Sequence, residues 1–102
     1  MIDWARVSEL RDEVGAEDFD EVAELLLEEV DEAIAALRDL TDLSKLEPQC
    51  HFLNGSALNI GFREFANLCQ AGEAAAAAGL GEDVEIAAIV QSYAAAREVF
   101  IN

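Results

Sequence analysis

The chain has 102 residues, of which 53% are hydrophobic and 27% charged, and its net charge at pH 7 is -16. That length admits one domain, residues 1–102, with a core of its own. Six scattered Lys and Arg residues exclude the cationic clusters needed to bind nucleic acid or an anionic membrane surface.

A single proline, abundant Ala, Leu and Glu, and no sustained apolar-polar alternation point to an all-α protein. No basic segment leads into an apolar run, and no stretch nears the roughly 18 apolar residues of a membrane span, so a cytoplasmic protein is expected.

In chain order, Asp3 is a suitable N-cap for a short helix ending at Gly15, with Trp4, Val7, Leu10 and Val14 on one face. A second helix is predicted from about Glu17 to Leu40, its stripe formed by Phe19, Val22, Leu26, Val30, Ala33, Leu37 and Leu40. Nine acids lie between Glu17 and Glu32 with no base among them. They form either a solvated face or a surface that steers a basic partner.

Ser44 and Glu47 have the spacing of a capping box, and Pro48 is tolerable only near a helix start. The third helix should therefore begin just before the one histidine of the chain, His51. Here Leu46, Cys50, Leu53, Ala57 and Ile60 form one apolar stripe. By helical geometry His51 points roughly 140° from the centre of that stripe, toward water or a partner. Gly55 follows one turn later on the same side and costs about 1 kcal/mol relative to alanine. Clearance beside the imidazole is the simplest compensation for that cost. Phe52 and Leu58 lie roughly 120° off the stripe, where they suit a docking surface; alternatively Phe52 packs under the first helix. Ser56, on the flank, either permits close packing or is a ligand.

Gly61 closes this helix. A fourth is expected from Phe62 to about Ala78, with Phe65, Cys69, Gly72 and Ala76 inward and Gly79 and Gly81 as stops. A fifth should start near Asp83 and reach Phe100, burying Ile86, Ile89, Val90, Tyr93 and Ala96, with Arg97 snorkelling at its edge. Cys50 and Cys69 fall on core stripes without a C-x-x-C partner, which favours reduced, packed thiols over a disulfide. Short connections make helices two to five an antiparallel up-down-up-down four-helix bundle, with the short N-terminal helix laid across it.

His51, Leu53, Gly55, Ser56, Ala57 and Gly61 resemble the H-x-L-K-G-[SA]-[SA]-x-x-x-G signature of histidine phosphotransfer (HPt) domains. Phe65, Leu68, Cys69 and Glu73 continue the likeness along the next helix. The resemblance implies a phosphocarrier of multistep two-component relays, exchanging a phosphoryl group between His51 and aspartates of response-regulator receiver domains. A hybrid histidine kinase would stand upstream. It also implies that Glu73 lies beside the imidazole as the carboxylate that orients it; the alternative is a surface glutamate at the start of an alanine run.

Two residues depart from the pattern. Asn54 stands where the family usually has lysine, so a phosphoryl group would meet a neutral amide donor in place of a charge. Gly72 replaces a preferred leucine, which suggests closer helix packing.

The chemistry has its own logic. A histidine with an ordinary pKa of about 6.5 is substantially neutral near pH 7, and one ring nitrogen keeps a lone pair able to attack phosphorus. A carboxylate accepting from Nδ1–H would fix the tautomer and make Nε2 the nucleophile. The chain offers no metal cluster and no Gly-rich phosphate loop, so no cofactor or metal of its own is expected. The resemblance assigns Mg²⁺ and a lysine to the receiver domain. The chain would then be a carrier, acting as a monomer, and not an enzyme. Two alternatives stand beside this: a helical adaptor or inhibitor that has lost transfer, encouraged by Asn54, and a metal-binding or catalytic bundle, for which one exposed histidine supplies no ligand set.

Overall fold

A computed structural model of the chain describes residues 2–101, so the two terminal residues of the expected 1–102 span lie outside the described residues. Its helices are α1 (Trp4–Val14), α2 (Phe19–Arg38), α3 (Leu46–Ile60), α4 (Arg63–Ala77) and α5 (Ile86–Ile101). One-turn 3₁₀ segments at Leu43–Lys45 and Gly81–Asp83 lead into α3 and α5. Helices α2 to α5 make the antiparallel four-helix bundle and α1 packs beside α2 and α3. Among the described residues the only extended pairing is an isolated bridge between Ile2 and Phe62.

The α3 stripe is buried as its spacing requires: Leu46, Cys50, Leu53 and Ala57 are fully enclosed and Ile60 nearly so. Phe65, Cys69 and Gly72 of α4 face it, joined by Ala66, while Ala76 is half-buried. Phe62 and Phe65 stack obliquely on Tyr93 of α5 with ring centroids 6.0 and 5.1 Å apart. Burying such an aromatic side chain contributes about 1.5–3 kcal/mol.

In α2 the buried line is Phe19, Ala23, Leu27, Val30, Ile34 and Leu37. The expected Val22, Leu26, Ala33 and Leu40 are only half-buried. Three consecutive leucines, Leu25 to Leu27, leave the phase of the stripe ambiguous in sequence. The structure resolves it by packing α2 against α3, α5 and α1. In α1, Val7 and Leu10 are buried, whereas Trp4 is exposed and stacks on Phe100 at 6.5 Å.

Two helix starts differ from expectation. The capping box does not form: Asp42 accepts from both the Ser44 backbone N–H (3.0 Å) and its Oγ (2.7 Å), which caps the 3₁₀ turn and occupies the serine. Asp83 belongs to a 3₁₀ turn, and α5 begins at Ile86. Arg97 does more than snorkel. Its Nε and Nη2 donate to the two carboxylate oxygens of Asp31, each at 3.0 Å, and Tyr93 Oη donates to Asp31 at 2.6 Å. Burial opposes the charge of Asp31, yet the bonds from Arg97 and Tyr93 outweigh it and hold the carboxyl below its ordinary range. One member of the acidic stretch thus ties α2 to α5.

The turn between α3 and α4 fixes the α1 end of the bundle. Gly61 adopts φ +89° and its N–H donates to Ala57 O. The Asp3 N–H donates to Gly61 O at 2.7 Å, and a Cβ added at Gly61 would lie 2.9 Å from Asp3 O. Only glycine satisfies both the left-handed turn and this backbone approach.

Gly61→Ala should therefore destabilise the fold by about 2–3 kcal/mol, combining left-handed strain with displacement of α1. The midpoint of thermal unfolding should drop by about 10 °C or more. An unchanged midpoint would refute the close approach.

Candidate functional site

The site is built on α3. Pro48 sits in its first turn, where a missing N–H costs nothing, and His51 follows in the second turn. With Cys50 and Leu53 fixed in the core on either side of it, the imidazole projects outward with 76% of its side chain exposed. A Cβ added at Gly55 would meet nothing within 4 Å, so the space one turn along is open.

Glu73 arrives from α4. Its Oε2 lies 2.8 Å from His51 Nδ1, and the Glu73 side chain is itself partly covered, at 29% exposed. With the proton on Nδ1 the ring donates to Glu73 and presents the Nε2 lone pair to solvent. The residue that spacing alone left ambiguous thus stands against the ring.

Phe52 and Leu58 are 45% and 58% exposed, so Phe52 does not pack under α1. Together with His51, Gly55, Ser56, Arg6 and Asn59 they line a shallow open groove of about 610 Å³. Ser56 is half-buried on its flank.

Arg6 and Asn59 gave no signal in the sequence. Arg6 reaches across from α1: its Nε donates to Asn59 O at 2.9 Å and its Nη2 to Asn59 Oδ1 at 3.0 Å. Its Nη1 is held by Glu13 at 3.0 Å and Glu9 at 3.4 Å. Asp3 anchors the start of the same helix, accepting from the Arg6 N–H and pairing with Arg63 at 3.1 Å. The first helix is therefore a clamped wall of the groove. Arg6 is the one cation in the groove lining, and two carboxylates already neutralise it.

Asn54 is placed differently from its expected use. Its Nδ2 donates to Ala66 O on α4 at 2.8 Å, so the amide donor is engaged between helices and is not turned toward His51. The residue sits half-buried on the α4 flank of α3, which explains the orientation.

The thiols are free and buried. Burial, and then the charge of Glu73, push the Cys50 thiol up; burial, reinforced by Cys50, pushes Cys69 up to about 12. Both stay protonated near neutral pH and act as small apolar core residues.

Comparison with known families matches this chain to the Hpt domain over residues 21–99. Comparison with curated proteins and with solved structures found no match. The match spans α2 through nearly all of α5, leaving α1 outside it. Among the described residues no helix is long and apolar enough to cross a membrane. The aligned span covers the histidine helix and the glutamate helix together, and the chain belongs to the Hpt domain family, the helical bundles of histidine phosphotransfer in phosphorelays.

Proposed function

We propose that this chain is a phosphocarrier that takes a phosphoryl group onto His51 from the phosphoaspartate of a receiver domain and returns it to another. The observation that carries the reading is the pairing of an exposed imidazole with Glu73 at 2.8 Å through Nδ1.

In the forward step Nε2 donates its lone pair to phosphorus, the N–P bond forms, and the P–O bond to the aspartyl carboxylate breaks with its electron pair leaving on that oxygen. The Nδ1 proton stays on the ring. As Nε2 commits its lone pair, positive charge develops on the imidazole, and the Glu73 carboxylate is already in place to stabilise it. The reverse step retraces the path with a different carboxylate attacking phosphorus.

Neutralising the phosphoryl oxygens falls to the partner. Arg6 is engaged by Asn59, Glu9 and Glu13, and the Asn54 amide is drawn to Ala66 on α4. A receiver domain supplies Mg²⁺ and a lysine to that end. Phe52 and Leu58 offer apolar contact around the histidine, and Gly55 leaves the gap through which a phosphoryl group and its donor approach. The chain serves as substrate and carrier rather than as the enzyme.

Incubation with a phosphorylated receiver domain should place acid-labile, base-stable phosphate on this protein and none on His51→Gln. Failure of the wild-type protein to accept phosphate would leave the adaptor reading in its place. Gly55→Leu should keep or slightly raise the unfolding midpoint, since leucine is the better helix former, yet slow transfer at least about tenfold, an interface cost of about 1.4 kcal/mol. Full-speed transfer by that variant would show that the gap is not used. Asn54→Lys exchanges the Ala66 tie for a charge. Its unfolding midpoint should fall by a few degrees, the effect of losing about 1 kcal/mol. Transfer should rise by up to about fivefold, as suits an exposed charge; an unchanged or slower rate would count against any charge deficit at this position.

A further inference from the structure

Gly72 is an ordinary helical glycine: it is not among the residues with positive φ, so the backbone there does not require it. In a helix interior it costs about 1 kcal/mol relative to alanine. Gly55 has open space before it, but Gly72 is the opposite case. A Cβ at Gly72 would lie 3.1 Å from Cys50 Sγ, 3.4 Å from Val84 Cγ1 and 3.5 Å from Ile89 Cδ1. Cys50 is fully enclosed, so its sulfur has nowhere to withdraw without disturbing its neighbours.

The register gives this notch a chemical consequence. Cys50 immediately precedes His51 and Gly72 immediately precedes Glu73, and α3 and α4 run antiparallel. The sulfur-to-glycine contact therefore lies one residue from the imidazole-to-carboxylate contact on both helices. Val84 and Ile89 close the same space, so a side chain at position 72 cannot turn away from Cys50 into an empty cavity. One turn further along, Asn54 Nδ2 to Ala66 O holds the same two helices in register.

We propose that Gly72 is a positioning residue for His51: the absence of a side chain seats Cys50 against α4, and that contact sets the helix separation at which Glu73 meets Nδ1. Its significance for transfer rests on the phosphocarrier reading, whereas its effect on the ring does not. Any side chain at position 72 forces its neighbours to yield by a few tenths of an ångström. A displacement of that size moves the 2.8 Å contact toward the long end of the ordinary N–H···O range and turns the carboxylate off the Nδ1–H direction, which weakens it.

The test compares wild type, Gly72→Ala, Glu73→Ala and the double variant Cys50→Ala/Gly72→Ala, in which the added methyl occupies the space the sulfur vacates. Nitrogen-15 NMR of the neutral imidazole reports the tautomer, and phosphotransfer from a receiver domain reports the rate. Gly72→Ala should show a lower share of the Nδ1–H tautomer than wild type and transfer up to about fivefold more slowly, the effect of weakening one hydrogen bond. The tautomer balance should move from the wild-type value toward that of Glu73→Ala, and the double variant should recover the wild-type tautomer and rate. A change confined to the unfolding midpoint, with the wild-type tautomer retained, would overturn the proposal, because Glu73 would then be compensating by its own rotation. If Gly72→Ala fails to fold, the double variant decides: recovery of the wild-type tautomer supports the notch and its loss overturns it. A wild-type protein that accepts no phosphate would reject the carrier reading, and the tautomer comparison would still judge Gly72.

Discussion

The close antiparallel contact of α3 with α4 is the constraint from which the other features follow. It brings a carboxylate on one helix to 2.8 Å from an imidazole on the other. Neither residue is held by a loop. His51 is flanked in sequence by Cys50 and nearby by Leu53, both fully enclosed, so the helix face that carries the ring cannot rotate without exposing the core. Glu73 is next to Gly72 and within one turn of Cys69, which are likewise buried. The ring is thus exposed to solvent while its orientation is governed by the interior. A group that must meet a visiting protein and still present one particular nitrogen needs both properties.

The rest of the surface follows a division of labour. Three cations are tied to other parts of the chain: Arg97 to Asp31, Arg63 to Asp3, and Arg6 to Asn59, Glu9 and Glu13. The groove around His51 keeps apolar Phe52 and Leu58 and the gap at Gly55. With a net charge of -16 the chain carries a strongly negative field. The first helix lies outside the family match, yet through Arg6 it forms one wall of the groove.

Much of the site was legible in sequence because one helix carries it and its apolar spacing is unambiguous. Leu46, Cys50, Leu53, Ala57 and Ile60 are all buried, which forces His51 outward by geometry alone. Legibility failed where two local solutions compete or where contacts are distant. The phase of α2 was hidden by Leu25 to Leu27, three adjacent residues of equal hydrophobicity. Ser44 had two partners in reach, and Asp42, two residues away, satisfied it before Glu47. The tie from Arg6 to Asn59 spans 53 positions and carries no local signature. Asn54 was read through the charge it lacks, whereas its flank position aims the amide at a carbonyl of α4.

The nitrogen that bears phosphorus in the phosphorylated protein decides whether Glu73 orients the ring of His51. Correlated phosphorus-31 and nitrogen-15 NMR of the labelled protein distinguishes the two ring positions of His51. Phosphorus is expected on Nε2, with the proton retained on Nδ1 facing Glu73. Phosphorus on Nδ1, or on any residue other than His51, would contradict it.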